Sequence, residues 1–146
     1  MLRVCNENDR EILEEYLKDE PYGRAIISAV REFGFDRPFQ TVYVDEKPPA
    51  QGGGVRAVYL WFYKNLILYA KENHVEADFL EEMMGISAPR RVAGRRDNVN
   101  IVSWLLTDYE MENGCELPEI MDENGEPAVF IKREEHAGEW SVLTRA

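Results

Sequence analysis

Histidine and cysteine are scarce in this chain, with two of each among 146 residues. His74 and His136 have no Cys, Asp or His neighbours at metal-ligand spacing, so no metal site is expected. Cys5 and Cys115 stand far apart and lack the density of a secreted disulfide scaffold, so both are expected as reduced thiols. No apolar run approaches the ~18 residues of a membrane span, and the polar Asn6-Glu7-Asn8-Asp9 follows the opening Met1-Leu2-Arg3-Val4 where a leader would have its hydrophobic region. A cytoplasmic location away from the membrane is expected. Positive charge is also short: 17 Lys and Arg against 28 Asp and Glu leave a net charge of -11. Such a field repels phosphate backbones, and without a long basic stripe to oppose it nucleic acid is excluded as a partner.

The chain does carry the apolar content of a folded protein, 45% hydrophobic and 11% aromatic, at the length of one domain. Residues 2–4 read as a short strand, and the spacing of Asn8 and Glu11 as a capping box for a helix with Ile12, Leu13, Tyr16 and Leu17 on its apolar face. Pro21 in a first turn, the stripe Ala25, Ile26, Ala29, Val30 and Phe33, and Gly34 at the end predict a second helix. From Phe39 the period changes to two, with Val42 and Val44 opposite Thr41, Tyr43 and Asp45. The Pro- and Gly-rich residues 47–54 end that strand in a turn; Gln51-Gly52-Gly53-Gly54 lacks the Lys-Ser/Thr and helix start of a phosphate loop.

Residues 55–63 and 65–70 predict an antiparallel hairpin turning at Lys64, with Tyr59, Trp61 and Tyr63 packing against another layer or lining a cleft. A third helix is marked by Val75, Phe79, Leu80, Met83 and Met84, ending at Gly85, and a brief strand by residues 91–93. Asp97 or Asn98 is expected to cap a fourth helix carrying Val99, Val102, Leu105 and Leu106. Beyond Tyr109 the chain becomes acidic and punctuated by Gly and Pro, with two further strands expected at 128–131 and 140–143. The division is a core at 1–109 and an acidic loop with terminal strands or a linker at 110–146, within one domain. Chemistry-bearing patterns are few. Neighbouring carboxylates such as Glu14-Glu15 and Glu81-Glu82 diverge by about 100° on a helix, no nucleophile elbow is present, and Arg90, Arg91, Arg95 and Arg96 form either a seat for a small anion or a solvated strand-to-helix corner.

The order strand, helix, helix, three strands, helix, strand, helix resembles the GNAT N-acetyltransferase fold. Three stretches carry the likeness: Leu2-Arg3-Val4 with Asn6-Glu7-Asn8-Asp9; Glu20-Pro21-Tyr22 through Arg31-Glu32-Phe33-Gly34-Phe35-Asp36; and Val55-Arg56-Ala57-Val58-Tyr59-Leu60 with Leu66-Ile67-Leu68-Tyr69. The last two are most similar to the amino-terminal half of bacterial acetyltransferases built from two such halves. The resemblance implies an α+β fold, a mostly antiparallel central sheet flanked by about four helices.

It also implies acetyl-CoA as cofactor, held by a Gln/Arg-x-x-Gly-x-Gly/Ala loop that opens the third helix, where backbone N–H groups bind pyrophosphate. At that place stands Lys71-Glu72-Asn73-His74-Val75-Glu76, with no glycine and two carboxylates. Arg91-Val92-Ala93-Gly94-Arg95-Arg96 has the first four elements of the pattern but follows a later strand. Tyr109 lies two residues beyond where the family's tyrosine acid would fall, at Thr107, and is the candidate catalytic residue or a structural tyrosine. Three roles follow: a substrate-shaping half working with a second GNAT half or as a homodimer, its acidic surface suiting a cationic amine; a stand-alone interaction module without cofactor; or an active acetyltransferase with an atypical loop.

Overall fold

The structure is a computed structural model and describes residues 2–122, 124–128 and 139–145. Among them are seven strands and four α-helices: β1 (Leu2–Val4), α1 (Arg10–Leu17), α2 (Pro21–Phe33), β2 (Gln40–Glu46), β3 (Val55–Phe62), β4 (Asn65–Tyr69), α3 (Ala77–Ile86), β5 (Arg91–Gly94), α4 (Arg96–Ser103), β6 (Tyr109–Cys115) and β7 (Trp140–Arg145). The strands form one sheet in the order β1-β2-β3-β4-β5-β7-β6. Only β4 and β5 run parallel; the other neighbours are antiparallel. The fold is α+β with a mostly antiparallel sheet and four helices.

Alternation along the strands sends side chains into two apolar layers. On one face Val42, Val44, Val58, Leu60, Phe62 and Ile67 meet α1 and α2 through Leu13, Leu17, Ile26 and Val30. On the other Tyr59, Leu66, Leu68, Val92 and Leu143 meet Leu80 of α3 and Val99 and Val102 of α4. Tyr59 is fully buried with its ring 5.9 Å from Phe79, and Trp61 packs in the same layer under α3, whereas Tyr63, the third ring of the expected stripe, lies past the end of β3 and stacks on Phe39 in the opposite layer.

Local signals explain most boundaries. Pro21 opens α2, and Gly34, at φ 71°, closes it with its N–H on Val30 O. Tyr63 and Lys64, at φ 46° and 63°, make the two-residue left-handed turn that matches strand twist. Neither is glycine; the Asn65 amide secures the turn by donating to the Phe62 and Tyr63 carbonyls at 3.2 and 2.9 Å.

Four expectations change. The first capping box is Asn6 with Asp9, on a 3-10 turn ahead of α1, because Asp9 accepts from the Asn6 N–H and from Arg3 at 2.7 and 2.9 Å. Arg95, not Asp97 or Asn98, is the N-cap residue of α4, and the helix ends at Ser103, short of Leu105 and Leu106, which pack on the same layer from the turn that follows. The third helix continues through Gly85 to Ile86. Residues 110–115, expected as acidic loop, join Tyr109 in a strand because Tyr109 and Met111 alternate with Glu110 and Glu112 and pack on the α3/α4 layer. The strand expected at 140–143 is β7; that at 128–131 falls, beyond Ala128, outside the described residues.

Candidate functional site

Two parallel strands that end side by side, each followed by a helix, leave a crevice beyond their carboxyl ends, the usual ligand position in such sheets. Here β4 and β5 end at Tyr69 and Gly94 and run on into the segments leading to α3 and α4. Just past β4 the carbonyls of Ala70 and Lys71 accept from side chains of this chain, which fill the space.

Arg95 is the centre of that filling. Its guanidinium donates to Ala70 O at 2.9 Å, Lys71 O at 2.8 Å, Glu20 Oε2 at 2.9 Å and both carboxylate oxygens of Asp97 at 2.7 and 2.9 Å. Asp97, and then Glu20, hold its charge on. Far from a solvated corner, its side chain is only 19% exposed. Asn98 is fully buried and bridges β4 to the α3 loop: its Oδ1 accepts from Ala70 N at 2.9 Å, and its Nδ2 donates to Ala70 O at 3.1 Å and Asn73 Oδ1 at 2.9 Å. The Tyr69 hydroxyl donates to Glu20; burial first, and that carboxylate second, push its pKa up, so it stays protonated.

The segment before α3 is fixed as tightly. Lys71 N donates to the Tyr16 hydroxyl and Glu76 N to the Tyr59 hydroxyl, at 2.9 and 2.8 Å, while Asn73 sits at φ 57° with its N–H on Ala70 O. Glu72 and Glu76 remain on this segment, and no glycine permits a close approach to its backbone. Arg95 and Asn98 are committed to internal acceptors, and the charged donor left beside them is the exposed Arg96, which lines the surface at the start of α4 with Arg95, Asp97 and Asn100.

The structure disperses some sequence candidates and gathers others. Tyr109 opens β6 opposite Arg145, whose neighbour Thr144 faces Arg91 at the start of β5, so Tyr109 stands at the other end of the sheet from the crevice. Its hydroxyl donates to Pro89 O, and burial raises its pKa. The four-arginine cluster is split by β5, with Arg90 and Arg91 at its beginning and Arg95 and Arg96 past its end.

His74, isolated in the sequence, comes together with Asp45 and Glu76, their ligand atoms within 4.8 Å of one another. These three are the described residues that could hold a metal ion. Burial works against the charge of Asp45, but the positive groups around it together hold its pKa down, Arg56 first among them with hydrogen bonds at 3.1 and 3.3 Å, so a cation would compete with that guanidinium. His136 lies outside the described residues. A groove of about 920 Å³ runs along α1 past Glu11, Glu14, Glu15 and Asp19, but Arg31, Lys18 and Lys71 pair with the last three, leaving little net field for a cationic amine.

Among the described residues no helix is long and apolar enough to cross a membrane. No known protein family, curated protein or solved structure matches the chain.

Proposed function

We propose that the chain is a GNAT-like domain that transfers no acetyl group by itself and instead covers or shapes the substrate cleft of a partner, a second GNAT-like half being the partner of first choice. The order of elements supports the likeness: strand, two helices, three strands, helix, strand, helix and two closing strands, with the one parallel pair at β4 and β5. The observation that carries the functional reading is the filled crevice. Arg95 and Asn98 occupy with internal hydrogen bonds the place beyond β4 and β5 where a cofactor would enter. A ligand there would have to break bonds to the carbonyls of Ala70, which is buried, and Lys71 before making its own.

Titration of acetyl-CoA followed by amide NMR tests this. The amides of residues 70–77 and 95–98 are expected to stay in place at saturating ligand. Saturable binding that moves them would sink the proposal and return the chain to the active acetyltransferases.

A further inference from the structure

The basic residues divide into two populations. Arg3, Arg10, Lys18, Arg31, Arg56 and Arg95 each pair with a carboxylate. Besides Arg37 and Arg96, four cations take part in none of the ion pairs among the described residues, although the chain has an excess of acids: Lys64, Arg90, Arg91 and Arg145. These four share one end of the sheet. Arg90 N donates to Lys64 O at 2.7 Å and Arg145 N to Arg90 O at 3.0 Å, so three backbone segments carrying cations are tied together there. The Arg91 guanidinium is anchored on Glu119 O at 2.9 Å.

Two adjoining cavities open at this end. One, of about 340 Å³, is lined by Asn65, Arg90, Arg91, Thr144 and Arg145. The other, of about 500 Å³, adds Lys64 and the rings of Phe39 and Trp61, and both share Tyr63, Arg90 and Met121. Their sizes fall in the range of small-molecule sites. Asp122 is the single carboxylate among the described residues that lines either cavity, and its Oδ1 accepts from the N–H groups of Asn124 and Glu126 within its own turn. Like charges gathered without a counter-charge repel one another, and guanidinium groups suit bidentate contact with phosphate or carboxylate. The aromatic and methionine wall beside them supplies the apolar part of a site.

We infer that the end of the sheet where β5 begins binds a small aromatic anion, its phosphate or carboxylate among Arg90, Arg91, Arg145 and Lys64 and its ring against Trp61 and Tyr63. The site is independent of the cofactor crevice and of the family likeness.

Phenyl phosphate is the probe, with inorganic phosphate as the comparison, titrated calorimetrically and by NMR into the chain and into the variant Arg90→Ala/Arg145→Ala. Both arginine side chains belong to exposed residues, and an unchanged melting temperature shows that the variant folds. The expected result is saturable binding of phenyl phosphate that moves the Trp61 indole N–H, is tighter than that of inorganic phosphate, and weakens about tenfold or more in the variant. No saturation up to about 10 mM, or equal affinity in the variant, would overturn the inference. Acetyl-CoA also carries phosphate and an aromatic base. Its binding to the double variant with shifts at residues 95–98 would refute the proposed function and leave this site to the phenyl phosphate result.

Discussion

Replacing Asn98 by Ala removes three hydrogen bonds from a side chain with no solvent exposure. The three bonds are not equivalent. Ala70 O keeps two other donors, Arg95 Nη2 and Asn73 N, so its loss is small. Ala70 N is different: Asn98 Oδ1 is its acceptor, and the residue is buried. An unpaired buried N–H costs about 1–3 kcal/mol and each lost bond about 1, which places the destabilisation at roughly 2–4 kcal/mol. At about 3 °C per kcal/mol for a chain of this length, the melting temperature should fall by roughly 6–12 °C.

Scanning calorimetry and urea unfolding measure the loss, with Asn100→Ala, exposed on the same helix, expected within about 0.5 kcal/mol of the parent. Native-state hydrogen exchange should show the Ala70 amide losing protection selectively. If Asn98→Ala unfolds within about 0.5 kcal/mol of the parent, the bridge does not hold β4 to the α3 loop, and the argument that the crevice is filled by structural bonds fails with it.

The Arg3 guanidinium and the Asn6 N–H hold the Asp9 pKa below its ordinary value, against burial. The stability this gives is present above the unfolded pKa of about 4 and disappears as pH falls through the lower folded value, so Asp9→Asn should flatten the acid limb of a urea-midpoint profile; an unchanged limb would assign the acid sensitivity elsewhere. At Gly94 an added Cβ would lie 2.8 Å from Leu68 O and 3.4 Å from side-chain atoms of Leu68 and Val99, so Gly94→Ala should cost about 1–3 kcal/mol in urea unfolding, and a neutral result would mean that β4 and β5 can separate.

Legibility followed the range of each interaction. The bounds of α2 were readable because Pro21 and Gly34 act on their own backbone, and the β3–β4 turn because two short apolar runs leave it nowhere else to go. β6 was obscured by composition: Glu110, Glu112 and Glu116 suggest a loop, yet the alternation with Tyr109 and Met111 was present as a signal. The crevice was not readable at all. Asn98 has the residue type and position of a helix cap, and nothing local distinguishes a cap from an amide reaching back to Ala70. Arg95 meets Glu20 across 75 positions, and His74, in the loop before α3, comes close to Asp45 of β2, so no periodic pattern encodes either contact.

Those long-range contacts set different energetic conditions at the two ends of the sheet. Ending a parallel pair leaves the carbonyls that follow β4, at Ala70 and Lys71, without a strand to satisfy them, and the buried one, Ala70 O, needs a partner from somewhere. In this chain Arg95 and Asn98 provide it, so binding in the crevice and stability of the fold draw on the same bonds. At the opposite end the guanidinium groups of Arg90 and Arg145 hold no carboxylate among the described residues, and an arriving anion relieves repulsion without breaking an ion pair. Ligand affinity at the start of β5 should therefore vary with salt, through screening of those exposed cations. Access to the crevice should instead track the stability lost when Asn98 or Arg95 is removed, and measuring both dependences on one set of variants separates the two ends.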